Sequence, residues 1–476
     1  MNFRKLFFIL LAICICLLCS CSEESVESNA ASVETDEDYL SHILMEDYEG
    51  YDFRILTRKG YSNQQYVEEE TGNVIYDAVF KRNETVKNLL NIDISITETS
   101  TASAETEAMS TILAGDDQYD IIFTHSRSAF QYAVQHTLIN YNDVDTIHLD
   151  KPWWHKDIAE SCNVNGNLYV IDGDIQTSGM GSAMCVYFNK NLFDELGINY
   201  PYQMVKDGTW TFDEFSKLVK KGSKDLNGDG VMNFNDDRFG FVTSDWRSPI
   251  SFLYSSGQRI YNKDAKGIPQ LTLNTAKTVD FFDKYFDLIG SEDVVLTTLE
   301  APTGYCTKFI VGDTEPFMDG RALLYDAGLS KAQNMRAMDH DFGILPIPKF
   351  TDDDEYATIV NGHASLVVMP ITVKDENRTG NIMEALCAVG SKTVMPAFYD
   401  LSLKTKFARD EESEEMIEII RDSIIYDLGY VAGGTFDSIG YNLAHSGGEF
   451  SSTYAANESS ALTRLKEFNK AYGGIG

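Results

Sequence analysis

Hydrophobic and polar positions alternate along this chain in two periods. Tyr51 to Thr57 is rich in β-formers and is bounded by Gly50 and Gly60, which predicts a strand. Ile75, Val79, Val86, Leu89 and Leu90 recur at helical spacing, and Ile92, Ile94 and Ile96 then alternate with Asp93 and Ser95 in a period of two. A short helix with Met109, Ile112 and Leu113 stops near Gly115, and Tyr119 to Phe123 is a further strand. The order β-α-β-α-β with short connections predicts a mostly parallel sheet covered by helices.

A second set follows. Ala183 to Phe188 is a strand, and Thr211 to Lys221 a helix with a well-marked start. Thr211 and Glu214 form a capping box, and Trp210 and Phe215 occupy the hydrophobic-staple positions. Phe281, Phe282, Tyr285, Phe286 and Ile289 mark an amphipathic helix; Ala322 to Tyr325, Phe342 to Leu345 and Leu366 to Met369 are apolar runs of buried-strand type. Ile382 to Val389, Glu414 to Tyr426 and Ser460 to Tyr472 make the C-terminal third mostly helical. The fold class is α/β.

Length and charge narrow the picture. At 476 residues the chain is too long for one ordinary core. A formal net charge of -34 opposes nucleic acid and anionic lipid headgroups, and otherwise serves solubility. At the N-terminus, Arg4 and Lys5 precede an uncharged apolar run, Leu6 to Leu18, which suits a signal peptide and is too short for a comfortable membrane span. It ends in Leu18-Cys19-Ser20-Cys21, which resembles a bacterial lipobox. That resemblance implies a leader over 1–20, lipidation of Cys21 and anchoring to the extracytoplasmic face of the cell membrane; an ordinary secretory signal is the alternative. Residues 21–47 read as a flexible tether, because Ser22 to Asp38 is polar and has no apolar period. Cys162, Cys185, Cys306 and Cys387 show no metal spacing and read as buried thiols, although an exported chain could pair some of them.

Several short blocks in order carry a family resemblance: the lipobox, Tyr51 to Thr57, Tyr119-Asp120-Ile121-Ile122-Phe123, Asn167-Leu168-Tyr169, Val186-Tyr187-Phe188-Asn189-Lys190, Trp210 to Phe215, Phe317 to Leu323 and Asp341 to Pro346. Together they resemble extracellular solute-binding proteins of family 1. The resemblance implies a two-lobed periplasmic-binding-protein-like (type II) fold with an interlobe cleft and C-terminal helices. It places crossings near Asp172 to Gln176, near Asp319 and near Asn361. The first lobe is then 48–171 plus 320–360, and the second 172–319 plus 361–476. It also implies capture of a small soluble ligand, mostly a sugar or oligosaccharide, by a monomer that serves the permease subunits of an ABC importer.

Sugars stack their C–H faces on aromatic rings and need polar partners for their hydroxyls. Ligands in open α/β sheets sit beyond the carboxyl ends of strands. This points to Arg58, to Thr124, His125 and Ser126, and to Asp326, with Trp153, Trp154 and Trp246 as stacking candidates. Each has a plainer reading: a loop Trp as an anchor, His125 as a turn residue, Asp326 as a helix cap.

The run Asp225 to Asp236 matches an EF-hand-type loop, with oxygen ligands expected from Asp225, Asn227, Asp229, the Val231 carbonyl, Asn233 and Asp236, and Gly230 at the turn. A single structural Ca²⁺ is the expectation, an acidic turn without metal the alternative.

No GxSxG, HExxH, P-loop or Rossmann glycine motif is present, so no catalytic residue or catalytic cofactor is expected. A surface carbohydrate-active enzyme using paired carboxylates remains a rival. A cellulosome-type docking protein would need a second calcium loop. Among binding proteins, a peptide or polyamine receptor is the runner-up.

Overall fold

The computed structural model describes residues 39–233, 236–291, 294–297, 309–310, 314–335, 338–403 and 411–474. The expected leader, Cys21 and Cys306 lie outside the described residues. No described helix is long and apolar enough to cross a membrane.

The first lobe begins with Tyr51–Thr57 (β1), followed by Val74–Leu90 (α1), Ile92–Glu98 (β2), Ile121–His125 (β3) and Ser126–Val134 (α2). Strand β1 pairs in parallel with both β2 and β3. Ile92 and Ile94 are buried while Asp93 and Ser95 face solvent, as the period of two requires at a sheet edge. Asn73 caps α1 by accepting the N–H groups of Ile75 and Tyr76.

The chain then builds the second lobe through Met184–Asn189 (β4), Phe212–Gly222 (α3), Phe239–Ser244 (β5), Ser248–Ser255 (α4), Ala276–Ile289 (α5), Val294–Thr297 (β6), Phe309–Ile310 (β7), Ala322–Gly328 (β8) and Phe342–Pro346 (β9). Its sheet runs β9-β4-β8-β5-β6-β7, with β4 antiparallel to both neighbours. The expected start of α3 is in place: Thr211 accepts the Glu214 N–H, and the Trp210 ring lies 6.0 Å from Phe215. Trp210 also donates to the Pro346 carbonyl, so the staple is tied to β9.

Ser365–Val368 (β10) returns to the first sheet, antiparallel to β3. Glu376–Leu403 (α6) packs on α1, and Glu411–Asp422 (α7) packs on β9. Ile439–Ser446 (α8) and Phe450–Gly473 (α9) complete the chain.

This pairing corrects the expected lobe boundaries. Residues 320–360 carry β8 and β9, which hydrogen-bond to β4 and so belong with the second sheet; β10, expected in the second lobe, lies in the first. Asp319 therefore sits between two second-lobe elements and is no crossing. The tether is also shorter than expected, because Leu44 exchanges two hydrogen bonds with the Asn381 side chain on α6 and Ile43 is buried.

The crossings near Asp172 and Asn361 are present and bound to each other. Gln176 donates to the Ser365 carbonyl at 2.7 Å, Ser365 N–H donates to Ser178 Oγ at 2.9 Å, and Asn361 N–H donates to the Ser182 carbonyl at 3.0 Å. Buried Arg82 of α1 donates to the Ile175 carbonyl at 2.5 Å. On the other side, a Cβ on Gly390 of α6 would fall 2.1 Å from the Asp174 carbonyl oxygen, so only glycine lets that helix approach.

Candidate functional site

Four of the sequence candidates converge where the second crossing passes the carboxyl ends of β1 and β3. Arg58 follows β1 and donates from Nη1 to the His363 carbonyl at 2.8 Å, while its guanidinium lies 4.4 Å from the centre of the Tyr61 ring. Ser126, first residue of α2, donates to the Gly362 carbonyl at 2.9 Å. Thr124 donates to the Glu105 carbonyl at 3.1 Å, and the Glu105 carboxylate lies 3.5 Å from Arg58. His125 caps α2, its Nδ1 accepting the Arg127 N–H at 3.2 Å. That bond leaves the proton of the neutral ring on Nε2. Its ring stands perpendicular to that of His363, 5.3 Å away.

The second lobe closes on the same point. Tyr430 accepts the Gly362 N–H at 3.1 Å, and Arg127 pairs with Asp437. Burial, then Arg58, His363 and Arg127, push the His125 imidazole down to about 3. His363 is lowered by burial and by Arg58, Arg127 and Arg247, against Glu105. Both rings are thus neutral near pH 7 and act there as hydrogen-bonding groups. Gly362, His363, Tyr430, Arg127 and Asp437 were not singled out from the sequence, because no local motif joins them.

The aromatic candidates divide. Trp246, beyond the end of β5, is 53 % exposed and lies flat on Tyr441, with ring centroids 3.9 Å apart. Tyr441 in turn contacts His445 at 4.2 Å, and His445 Nε2 meets the buried Asp245 carboxylate at 2.5 Å. Asp245 and Trp246 are neighbours in the chain, so β5 and α8 hold one stack from both ends. The next residue, Arg247, acts electrostatically on His363 and Tyr430, which links this stack to the crossing.

Trp153 and Trp154 correct the expectation. They are 1 % and 3 % exposed and offer no face to a ligand. Their indole nitrogens donate to the two oxygens of Glu384, at 2.9 and 2.8 Å, because a buried indole N–H requires an acceptor. The Trp153 carbonyl then accepts the Asp174 N–H at 2.9 Å and the Cys387 thiol at 3.1 Å, which pins the first crossing to α6. Asp326 is corrected as well: β8 continues to Gly328, so this carboxylate lies inside a central strand opposite Val186, fully buried, and not at a strand end.

The acidic loop is held at its base by Asp237, whose two oxygens accept the Leu226 and Asn233 N–H groups at 2.8 Å, and by paired backbone bonds between Lys224 and Arg238. Within it, Asp225 accepts from Gly228 at 2.6 Å and Gly230 at 2.8 Å, and Asp229 accepts from Val231. Asn233 donates to Asp236 at 2.8 Å. Among the described residues, no three His, Cys, Asp or Glu side chains converge as a metal site. Asp225, Asp229 and Asp236 are therefore not drawn together, and two of these three carboxylates accept backbone N–H groups. Cys162, Cys185 and Cys387 are free, buried thiols.

No family model matches the chain, and no curated protein matches it. Solved structures do resemble it. The maltose/maltodextrin-binding domain MalE of Bdellovibrio bacteriovorus, bound to maltotriose, is 15% identical, with 87% of this chain and 100% of that chain covered at a TM-score of 0.53. UspC of M. tuberculosis is 13% identical, with coverages of 87% and 99% and a TM-score of 0.58. UgpB of Mycobacterium tuberculosis, in complex with glycerophosphocholine, is 13% identical, with coverages of 88% and 98% and a TM-score of 0.55. At these identities the likeness is one of fold: the chain has the two-lobed α/β architecture of solute-binding proteins of the maltose-binding kind.

Proposed function

We propose that this chain is an extracytoplasmic solute-binding lipoprotein that captures a sugar or oligosaccharide between its lobes and delivers it, as a monomer, to an ABC permease, with no catalytic step of its own. The observation that carries this is Trp246: a large ring, half exposed beyond the carboxyl end of β5 and backed by Tyr441. Solvent exposure of such a surface is costly, and a ring backed by a second ring suits the C–H face of a pyranose. Arg58, Thr124, His125 and Ser126, gathered at the second crossing, supply donors and acceptors of the kind hydroxyls need. Two crossings bound to each other suit a hinge that opens and closes on a ligand. Membrane attachment through Cys21 is part of the reading; Cys21→Ala should move the protein out of the detergent phase. A single structural Ca²⁺ in the Asp225 to Asp236 loop is part of it too.

The test is a thermal-shift screen of the mature chain against mono- and oligosaccharides, short peptides and spermidine. Stabilisation by a saccharide alone supports the reading. Stabilisation by peptides or spermidine alone replaces it with a receptor of that class, and release of cleaved sugar makes the protein an enzyme.

A further inference from the structure

The whole chain carries a formal net charge of -34, yet the groups meeting at the second crossing are mainly basic or neutral. Arg58 is 4 % exposed, so its charge is taken out of water. A guanidinium has five N–H donors in a planar fork. Here Nη1 serves the His363 carbonyl, and Nη2 stands 3.5 Å from Glu105. The buried Nε has no hydrogen-bond partner among the described residues. A buried, unpaired donor on a cation is costly, and an arriving acceptor removes that cost.

Other positive groups point to the same place. Arg127 is the second residue of the nine-residue helix α2, whose positive end faces the crossing through Ser126 and Gly362, and its side chain is 47% exposed. The fields at the two imidazoles agree, since Arg58 and Arg127 both lower His125 and His363, against Glu105 at His363. Glu105 and Asp437 are the acids present, and each stands beside one arginine. At His363 three arginines, Arg58, Arg127 and Arg247, act against Glu105, and a positive field of that kind beside the crossing favours a negatively charged partner.

Resting on the sugar-binding reading, we infer that the ligand is an anionic saccharide, bearing a carboxylate or a phosphate that Arg58 and Arg127 receive beside His363. The planar forks suit either oxyanion, and a helix N-terminus suits both. The sugar ring itself is left to Trp246.

Matched saccharides test this by calorimetry on the mature chain: neutral disaccharides of glucose, galactose and mannose, each against its uronic acid and its 6-phosphate. The inference expects at least one anionic member to bind about tenfold or more tighter than its neutral partner, with the advantage shrinking as NaCl rises from about 0.02 to 0.3 M. Whether it is a uronic acid or a phosphate identifies the oxyanion. Arg127→Gln, compared with wild type where the variant is folded, should weaken the anionic member several-fold more than its neutral partner, so that most of the advantage is lost. Arg58→Lys, which keeps the charge and loses the fork, should weaken the anion more than the neutral sugar. Neutral members that bind as tightly as their anionic partners overturn the anionic class and leave the sugar reading standing. Binding of no saccharide at all removes both. An anionic preference untouched in both variants overturns the assignment to these arginines.

Discussion

Trp246 and Tyr441 lie face to face, 3.9 Å apart at their centroids and 16° from parallel, although they are reached from β5 and α8 respectively. The contact leaves the other face of Trp246 to solvent and fixes its plane. Trp246→Ala should therefore weaken saccharide binding by roughly 1–3 kcal/mol, about 5- to 150-fold in Kd, with little change in melting temperature. Tyr441→Ala should cost less affinity, and Tyr441→Phe almost none. Titration calorimetry reads this; unchanged affinity in Trp246→Ala would exclude this ring from the site.

Glu384 makes the opposite case. Its carboxylate serves two indoles and the His148 N–H at once, and burial raises it above the usual carboxylate range. Glu384→Ala leaves two buried indole donors unpaired, at about 1–3 kcal/mol each. Denaturant unfolding should show a loss of roughly 2–5 kcal/mol. Saccharide affinity, measured where the variant is folded, should stay within about twofold of wild type, because these tryptophans anchor the crossing and do not face a ligand. A large loss of affinity with stability intact would reverse that assignment.

These two cases show where the sequence was legible. Period and capping placed β1, α1, β2 and α3 within a few residues, because those signals are local; the last helix was read from Ser460, but α9 begins at Phe450, in a polar stretch without an apolar period. Sheet membership was not local. The strand at Ala322 was readable as a strand, but its partners are β4 and β5, distant in sequence, and nothing in Ala322 to Gly328 names them. The fate of Trp153 and Trp154 is set by a carboxylate 231 and 230 residues away. Arg58, Thr124, His125 and Ser126 were singled out through the strand-end rule. His363 and Tyr430 were not, since they lie in a crossing and in the one-turn helix Leu428–Val431, too short to carry a period.

The first crossing carries a titratable cluster. His155 Nδ1 lies 3.3 Å from Asp172 and its Nε2 4.0 Å from Asp174. Burial alone would lower His155, but Asp172 and Asp174 raise it on balance, with Asp157 adding. Asp174 is pushed up to about 7, first by burial and also by Asp172, against His155 and Arg421. For His155, whose folded value is raised, the stabilisation is full below about 6.5 and is lost as pH climbs from there through the higher folded value. For Asp174, the folded state holds its proton more tightly, so stability falls as pH rises from about 4 to about 7. Both act in the same direction. The melting temperature of the wild type should drop between about pH 5.5 and 8, and Asp174→Asn should flatten that drop by the equivalent of about 1–2 kcal/mol. Repulsion among the excess acids acts on both proteins alike, so equal slopes would clear Asp174 of any part.

The acidic loop supplies the last prediction. Asp237 and the Lys224–Arg238 pair close its base whether or not a cation is present, and Asp225 folds the turn by accepting from Gly228 and Gly230. Asp225, Asp229 and Asp236 would repel one another if drawn to one point, and this repulsion is what a divalent cation would reverse. Each carboxylate oxygen that accepts one N–H keeps a second lone pair, so the backbone bonds and an ion are compatible. If the loop binds Ca²⁺ in the folded state only, about a hundredfold excess over the dissociation constant adds about 2.7 kcal/mol of stability. The melting temperature should rise in millimolar Ca²⁺ and fall back in EDTA. Asp225→Ala should abolish the rise at some cost to the turn itself; Asp229→Asn, which keeps an acceptor for the Val231 N–H, should abolish it at little cost in EDTA. Saccharide affinity should be the same with and without Ca²⁺, since the loop precedes β5 while Trp246 lies beyond the other end of that strand. Identical melting curves in Ca²⁺ and EDTA would leave the loop an acidic turn held by Asp237, Asp225 and the Lys224–Arg238 pair.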